Sequence, residues 1–293
     1  MFWRCLVVCY NMHTMSTPTQ PVDLLCTTTQ LRYLAAGSGA RAIVFIHGWS
    51  AFKEIWWSAM AAIAPYARVF APDLPGHGGS AQHQARDMAE LASVVAAFCA
   101  ARGLESIAVV GHSMGGNIAV ELALSEPMLV QQLVLVNPAV QGPDMPRYTR
   151  SYLQRDHGWL ALRASFVLAR GVGFFGEFVP HHHGGGMLRP IVRRLGYMAR
   201  HDPELLHRLL GALFRNALMP RLPGITQPTL LVAGQLDPLV PASLSKRVAA
   251  AIPHAQLLVM QRCAHNPMDE QPAAFEAALL KFLELGQRMT EGT

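Results

Sequence analysis

Val109-Val110-Gly111-His112-Ser113-Met114-Gly115-Gly116 is the stretch whose reading decides the fold. It begins as a short, β-branched apolar run of the kind buried on both faces of a sheet, and it ends by opening a helical pattern that continues to Leu124. Between the two stands G-x-S-x-G, a strand-to-helix turn so tight that small residues are needed at Gly111 and Gly115. Such a turn stands Ser113 above the sheet edge, beside the first amides of a helix, where a developing anion is favoured. G-x-S-x-G alone also arises by chance; the strand before it and the helix after it give it weight.

Outward from this stretch, apolar runs recur at residues 43–46, 69–71, 107–110, 133–136, 229–233 and 257–260. Helical spacing lies between and after them, over residues 87–102, 114–124, 242–251 and 273–285. The alternation predicts an α/β fold with a mostly parallel central sheet flanked by helices. Stretches around 24–29 and 31–35 read as leading strands, paired as a hairpin through an antiparallel edge. From about Gln141 the rhythm stops, and it resumes after Leu222-Pro223-Gly224. Residues 141–224 therefore read as an inserted helical cap, or lid, on a single core made of 23–140 and 225–293, with 1–22 a disordered extension.

A serine hydroxyl is a weak nucleophile until a base takes its proton, and the base needs a group to orient it. In a sheet of this kind both belong after later strands. The run at 229–233 is followed by Gly234-Gln235-Leu236-Asp237-Pro238, which puts a carboxylate at the strand's C-terminal edge. The run at 257–260 is followed by Gln261-Arg262-Cys263-Ala264-His265-Asn266-Pro267, which puts an imidazole at the same edge. Taken singly, Asp237 also reads as a helix cap and His265 as a surface loop residue. Three placements at one edge, in the chain order Ser, Asp, His, point instead to catalysis. Backbone N–H groups of Met114 and of Trp49, just beyond the run ending in His47-Gly48, are candidate oxyanion donors, although His47-Gly48 also reads as an ordinary turn. His47, Trp49 and His112 are expected to shape a substrate pocket under an apolar roof that includes Trp159, Phe166 and Phe174. Those cap aromatics are also what any helical cap needs for its own packing.

Phe45-Ile46-His47-Gly48-Trp49, Asp73-Leu74-Pro75-Gly76-His77-Gly78-Gly79-Ser80, and residues 111–116, 234–241 and 265–272 resemble the α/β-hydrolase superfamily, in its branch with a helical cap. The resemblance spans roughly residues 24–285. It implies a serine hydrolase with Ser113 as nucleophile, His265 as base, Asp237 as its orienting acid, and the Trp49 and Met114 amides as oxyanion hole. It also implies that Asp73 and His77 hold a structural loop. One departure precedes the histidine, where many members have glycine and this chain has Cys263-Ala264. The serine argues against the dehalogenase and epoxide hydrolase branches, which carry an aspartate at that position. The expected reaction is cleavage of a carboxylic ester with an apolar acyl group through an acyl-enzyme. The chain is similar to carboxylesterases and lipases, and in particular to pimeloyl-acyl-carrier-protein methyl ester esterases. A thioesterase, a carbon–carbon bond hydrolase with the same triad, and a ligand receptor on the same fold stay open as alternatives.

Composition bounds the partners. At 51% hydrophobic and 15% charged, the chain has the material for a large core and is not a disordered one. The net charge of +5 is unevenly spread: residues 141–224 hold twelve arginines, no lysine and five acidic residues, a local +7 that leaves the rest near −2. A basic cap suits an anionic partner, such as an acyl carrier protein or a membrane surface, and it equally suits a plain solvated face. The expected substrate is a small-molecule or acyl-carrier-bound ester, with no nucleic acid as partner. Five cysteines, Cys5, Cys9, Cys26, Cys99 and Cys263, are odd in number and form no CxxC pair, so a reducing, cytoplasmic setting is the default. The opening MFWRCLVVCYNMHTM has an apolar run too short for a good secretion signal, and no run approaches the ~20 residues of a transmembrane segment. His181-His182-His183, adjacent in a glycine-rich stretch, lack the separated partners of a metal site, so neither metal nor cofactor is expected.

Overall fold

The computed structural model describes residues 19–80, 84–149, 164, 167 and 201–286. Eight strands form one sheet in the order β1-β2-β4-β3-β5-β6-β7-β8. The leading strands are β1 (Val22–Leu25) and β2 (Arg32–Ala36). The central ones are β3 (Ala42–Ile46), β4 (Arg68–Pro72), β5 (Ile107–His112) and β6 (Val130–Val136). The far edge is formed by β7 (Thr229–Gly234) and β8 (Gln256–Met260). β1 pairs antiparallel with β2, and β2 with β4, while all other pairs are parallel. Every apolar run of the sequence lies in a strand. β6 starts three residues earlier than its run because Gln131 and Gln132 interrupt the apolar pattern there.

Helices fill the crossovers. α1 (Trp57–Ile63) joins β3 to β4, α2 (Met88–Ala101) joins β4 to β5, and α3 (Met114–Ser125) joins β5 to β6. α4 (Pro203–Arg215) lies in the long β6-to-β7 connection, and α5 (Ala242–Ala251) joins β7 to β8. The one-turn α6 (Pro267–Glu270) and α7 (Pro272–Phe282) follow β8. Successive strand residues point to opposite faces, and here both faces are covered. Val44, Ile46, Val109, Leu133, Leu135 and Leu231 pack with residues of α2, α3 and α5 in one core. Ile43, Phe45, Val110, Val134, Val136 and Val232 pack with residues of α1 and α7 in the other. That double burial is why the central strands read as unbroken apolar runs. Each such side chain contributes on the order of 2 kcal/mol by leaving water.

The order of the strands also places the site. From β3 the chain turns to β4 through α1, on one side and one face. From β5 it turns to β6 through α3, on the other side and the opposite face. The crevice between the C-terminal ends of β3 and β5 is thus the topological switch point, where open α/β sheets bind ligands. His47-Gly48-Trp49 form one lip of it, and His112-Ser113 the other.

Of the expected cap, residues 141–149 and 201–224 are described almost in full, with 164 and 167 between them; Trp159, Phe166 and Phe174 lie outside the described residues. Leu205, Leu209, Leu210, Leu213 and Phe214 of α4 join the first core, so this helix is packed onto the sheet domain. Asp202 caps it by accepting the Glu204 and Leu205 amides at 2.9 and 3.2 Å. The ends of the long connection are clasped to each other and to α3. Gln141 bridges Ala217, Asn216 donates to Asn117 and Glu121, and Arg221 pairs with Glu121 at 2.7 Å. No helix among the described residues is long and apolar enough to cross a membrane.

Candidate active site

Ser113 sits between β5 and α3 with φ 54 and ψ −116, a conformation that costs on the order of 1–3 kcal/mol and persists only where its surroundings enforce it. The enforcement is visible on both sides. A Cβ on Gly111 would lie 2.3 Å from the Gly115 carbonyl oxygen, and one on Gly115 would lie 2.2 Å from that of Ile46. Any larger residue at either place would push α3 off the end of β5. The backbone of Ser113 is tied down separately: its N–H donates to Val136, and its carbonyl accepts from Gly116, Asn117 and Ala139. The lip after β3 presses on the same serine, since a Cβ on Gly48 would come within 3.1 Å of the Ser113 Cβ. Of the two expected oxyanion donors, Trp49 therefore follows a residue that abuts Ser113, and Met114 follows Ser113 itself.

Beyond β8, His265 donates from Nδ1 to Oδ2 of Asp237 at 2.7 Å. The other carboxylate oxygen of Asp237 accepts the Leu239 and Val240 amides at 2.8 and 3.0 Å, so the buried acid is held in place by its own loop. The carbonyl of His265 lies 2.8 Å from Nε2 of His112, and the two rings stand 4.7 Å apart. Glu270 brackets His265 by accepting the Ala264 amide at 2.6 Å and the Asn266 amide at 2.8 Å. The Cys263-Ala264 departure is accommodated in this way, with Arg262 taking the left-handed turn position at φ 53. Cys263 itself is buried, and burial pushes its thiol up to about 12, so it does not compete as a nucleophile. Glu270 carries no sequence signal for this role. It is one of several acids in a polar stretch, and only the turn of α6 aims it back at the loop.

His47, expected to shape the pocket, has both ring nitrogens engaged. It is fully buried, donates from Nδ1 to the Gly48 carbonyl at 2.9 Å, and accepts the Leu74 amide on Nε2 at 2.9 Å. His77 repeats the arrangement, donating to the Pro75 carbonyl and accepting the Ser50 amide at 3.2 Å. His201, at the entrance to α4, accepts the Gly78 amide at 3.0 Å. The three rings stack edge to face, with centroids 4.9 and 5.2 Å apart. They join the loops after β3 and β4 to the returning connection, and they do so as neutral acceptors. Trp49 adds to the clasp: its indole N–H donates to the Leu206 carbonyl of α4 at 2.7 Å. Asp73 is architectural in the same loop, accepting the amides of Lys53 and Gly79, each at 2.8 Å, and the Lys53 ammonium at 3.1 Å. Burial pushes that ammonium down, but Asp73, Glu54 and Asp23 more than reverse it, leaving its pKa raised.

A pH dependence follows from the stack. Burial, then the neighbouring His77, holds His47 well below the usual histidine range; burial lowers His77 to about 4; burial, then His77, holds His201 well below. Lys53 further disfavours charge on His47. Unfolded, all three titrate near about 6.5, so from there down to about 4 the unfolded chain binds more protons. Stability is thus full above about pH 6.5 and falls as pH falls, by on the order of 3 kcal/mol for the shift of His77 alone. Thermal melting across that window should show a steadily dropping Tm, with a shallower slope in His77→Asn. A Tm independent of pH there would contradict neutral, buried rings.

Among the described residues, no three His, Cys, Asp or Glu side chains are grouped to hold a metal ion. Comparison with known proteins agrees with the architecture. A family profile described as alpha/beta hydrolase fold matches residues 41–272. A pimeloyl-[acyl-carrier protein] methyl ester esterase of Yersinia pseudotuberculosis is 32% identical over 271 residues, covering 87% of this chain and 98% of that one. One of Nitrosospira multiformis is 27% identical and covers 82% and 93%. Among solved structures, a bacterial membrane phospholipase A superposes with a TM-score of 0.73 at 27% identity, over 91% of this chain and 86% of that one. A hydrolase from Pseudomonas aeruginosa PA01 superposes at 0.70 and 25%, over 90% and 98%. The chain belongs to the alpha/beta hydrolase fold family.

Proposed function

We propose that this chain hydrolyses carboxylic esters by nucleophilic catalysis, with Ser113, His265 and Asp237 as its triad. The observation that carries the reading is the 2.7 Å bond from His265 to Asp237, whose histidine loop is buttressed by the residue next to the strained Ser113. With Nδ1 donating to the carboxylate, Nε2 of His265 is left as the acceptor that a general base requires. Ser113 Oγ attacks the ester carbonyl and passes its proton to Nε2. The tetrahedral oxyanion is held by the Trp49 and Met114 amides. Collapse expels the alcohol, protonated by His265, and leaves an acyl-enzyme. A water molecule, deprotonated by His265, then attacks the acyl carbon and frees the acid and Ser113.

For the substrate, we infer a methyl ester of an acyl chain borne on an acyl carrier protein. The esterase relatives named above act on such a substrate, and the +7 balance of residues 141–224 suits an anionic carrier. In this reading residues 141–224 form the lid, with Trp159, Phe166 and Phe174 in its apolar roof. Cys26, Cys99 and Cys263, buried and free, support a reducing cytoplasm as its setting. The test compares p-nitrophenyl esters from acetyl to palmitoyl with pimeloyl methyl ester, free and carrier-bound. Carrier-bound ester should be preferred in kcat/KM by about tenfold or more, about 1.4 kcal/mol, and salt should erode the preference. Equal values for free and carrier-bound ester would remove the carrier from the reading. Background turnover on every ester would remove ester hydrolysis itself.

A further inference from the structure

Asp237 and His265 stand on loops that leave different strands, β7 and β8, and one side chain just past a third strand bonds to the end of β7 and to the loop after β8. Asn137 follows β6, is fully buried, and takes φ 42, a left-handed conformation that asparagine tolerates better than most residues. Its backbone amide donates to Val232 of β7 at 2.8 Å. Its side-chain oxygen accepts the Gly234 amide at 2.8 Å, three residues before Asp237. Its side-chain nitrogen donates to the carbonyls of Ala264 at 3.1 Å and His265 at 2.9 Å. Two donor bonds and one acceptor bond thus tie the strand that carries the acid to the loop that carries the base.

We propose that Asn137 is a positioning residue for catalysis, setting His265 against Asp237 and Ser113 through the His265 carbonyl. The inference rests on the ester-hydrolase reading for its activity readout. The carbonyl and the imidazole belong to one residue, and His112 donates to the same carbonyl from the strand that leads into Ser113. Loss of the amide frees the loop to drift, and a base displaced by about 1 Å costs about a hundredfold in rate. The titratable groups around His265 are Asp237 on the β7 loop, His112 on β5, Glu270 on α6 and Cys263 on its own loop. None of them donates where Asn137 does, apart from His112.

Two variants separate positioning from mere packing. Asn137→Asp keeps the shape, the tolerance of positive φ and the acceptor for Gly234, but it cannot donate to the two carbonyls and sets a second carboxylate near the imidazole. Asn137→Gly keeps the backbone conformation and makes none of the three bonds. Both are assayed on a p-nitrophenyl ester across pH, melted thermally, and examined by proton NMR for the downfield Nδ1 resonance of His265. In Asn137→Asp, kcat should fall about thirty- to a hundredfold with KM within about twofold. The acid limb of its kcat/KM profile should move to higher pH, because an added carboxylate favours the imidazolium. Asn137→Gly should lose kcat without that movement, and the His265 resonance should shift or broaden in both. A folded Asn137→Asp with wild-type kcat, pH profile and resonance overturns the proposal. Failure of both variants to fold also overturns it, by assigning the amide to the fold alone. If wild-type protein turns over no ester, the hydrolase reading fails, while the His265 resonance still reports whether Asn137 sets the ring.

Discussion

Ser113→Ala lowers kcat on p-nitrophenyl esters to background, an expected fall on the order of 10⁵ to 10⁶. In the proposed mechanism Oγ is the atom that bonds to the acyl carbon, and alanine has nothing to put in its place. The fold should barely notice. The backbone of Ser113 makes its bonds through N–H and carbonyl, to Val136, Gly116, Asn117 and Ala139, and alanine keeps all of them. The strain at φ 54 is also common to both residues, since each carries a Cβ. Melting should therefore stay within a few degrees of wild type, as for a substitution worth well under about 1 kcal/mol. The measurement is burst and steady-state release of p-nitrophenol from acetyl to palmitoyl esters. Wild type should show a burst where deacylation is slow, and the variant none. Wild-type turnover in a folded Ser113→Ala protein would sink the acyl-enzyme route.

What the sequence displays and what it hides divide along one physical line. The strands are legible because double burial demands unbroken apolar runs, and the turn at Ser113 because Gly111 and Gly115 are sterically required. Asp237 and His265 are legible as candidates because each follows a strand whose end is readable, and the structure brings the two within hydrogen-bonding distance. What holds them is not legible. The bond from Asn137 to His265 spans 128 residues, that between His112 and His265 spans 153, and that from Gly78 to His201 spans 123. Each depends on which loops abut at the sheet edge, a property of strand order rather than of any local pattern. Asn137-Pro138 reads locally as a turn, and Glu270 as a surface acid. His47 is hidden for a related reason: a His-Gly pair after a strand looks like the lip of a pocket, yet Nδ1 donates to the neighbouring Gly48 carbonyl and Nε2 accepts the Leu74 amide from the loop after β4. The start of β6 is masked more simply, by two glutamines on an otherwise apolar strand.

The same geometry sets the second large effect, Asp237→Asn, and dictates its cause. In the wild type one carboxylate oxygen accepts the amides of Leu239 and Val240, and the other accepts Nδ1–H of His265. An asparagine has one oxygen for these two tasks. Two backbone amides of the same loop, two and three residues further on, outweigh one imidazole, so the carboxamide oxygen stays with Leu239 and Val240 and the NH₂ group faces His265. A donor there obliges Nδ1 to accept, which moves the ring proton to Nε2, the atom that in the proposed mechanism takes the proton of Ser113. The histidine is then in place but in the wrong tautomer, and kcat should fall by about ten-thousandfold. KM should change little, because no substrate contact is lost. The loop keeps its two amide bonds, so the loss should come with at most a modest drop in Tm. Asp237→Ala offers the contrast: it strips the Leu239 and Val240 amides of their buried acceptor, at about 1–3 kcal/mol, and should lower Tm as well as kcat. If Asp237→Asn instead retains a tenth or more of wild-type kcat, Asp237 is a loop cap that happens to touch His265, and the orienting acid must be sought elsewhere at the same edge.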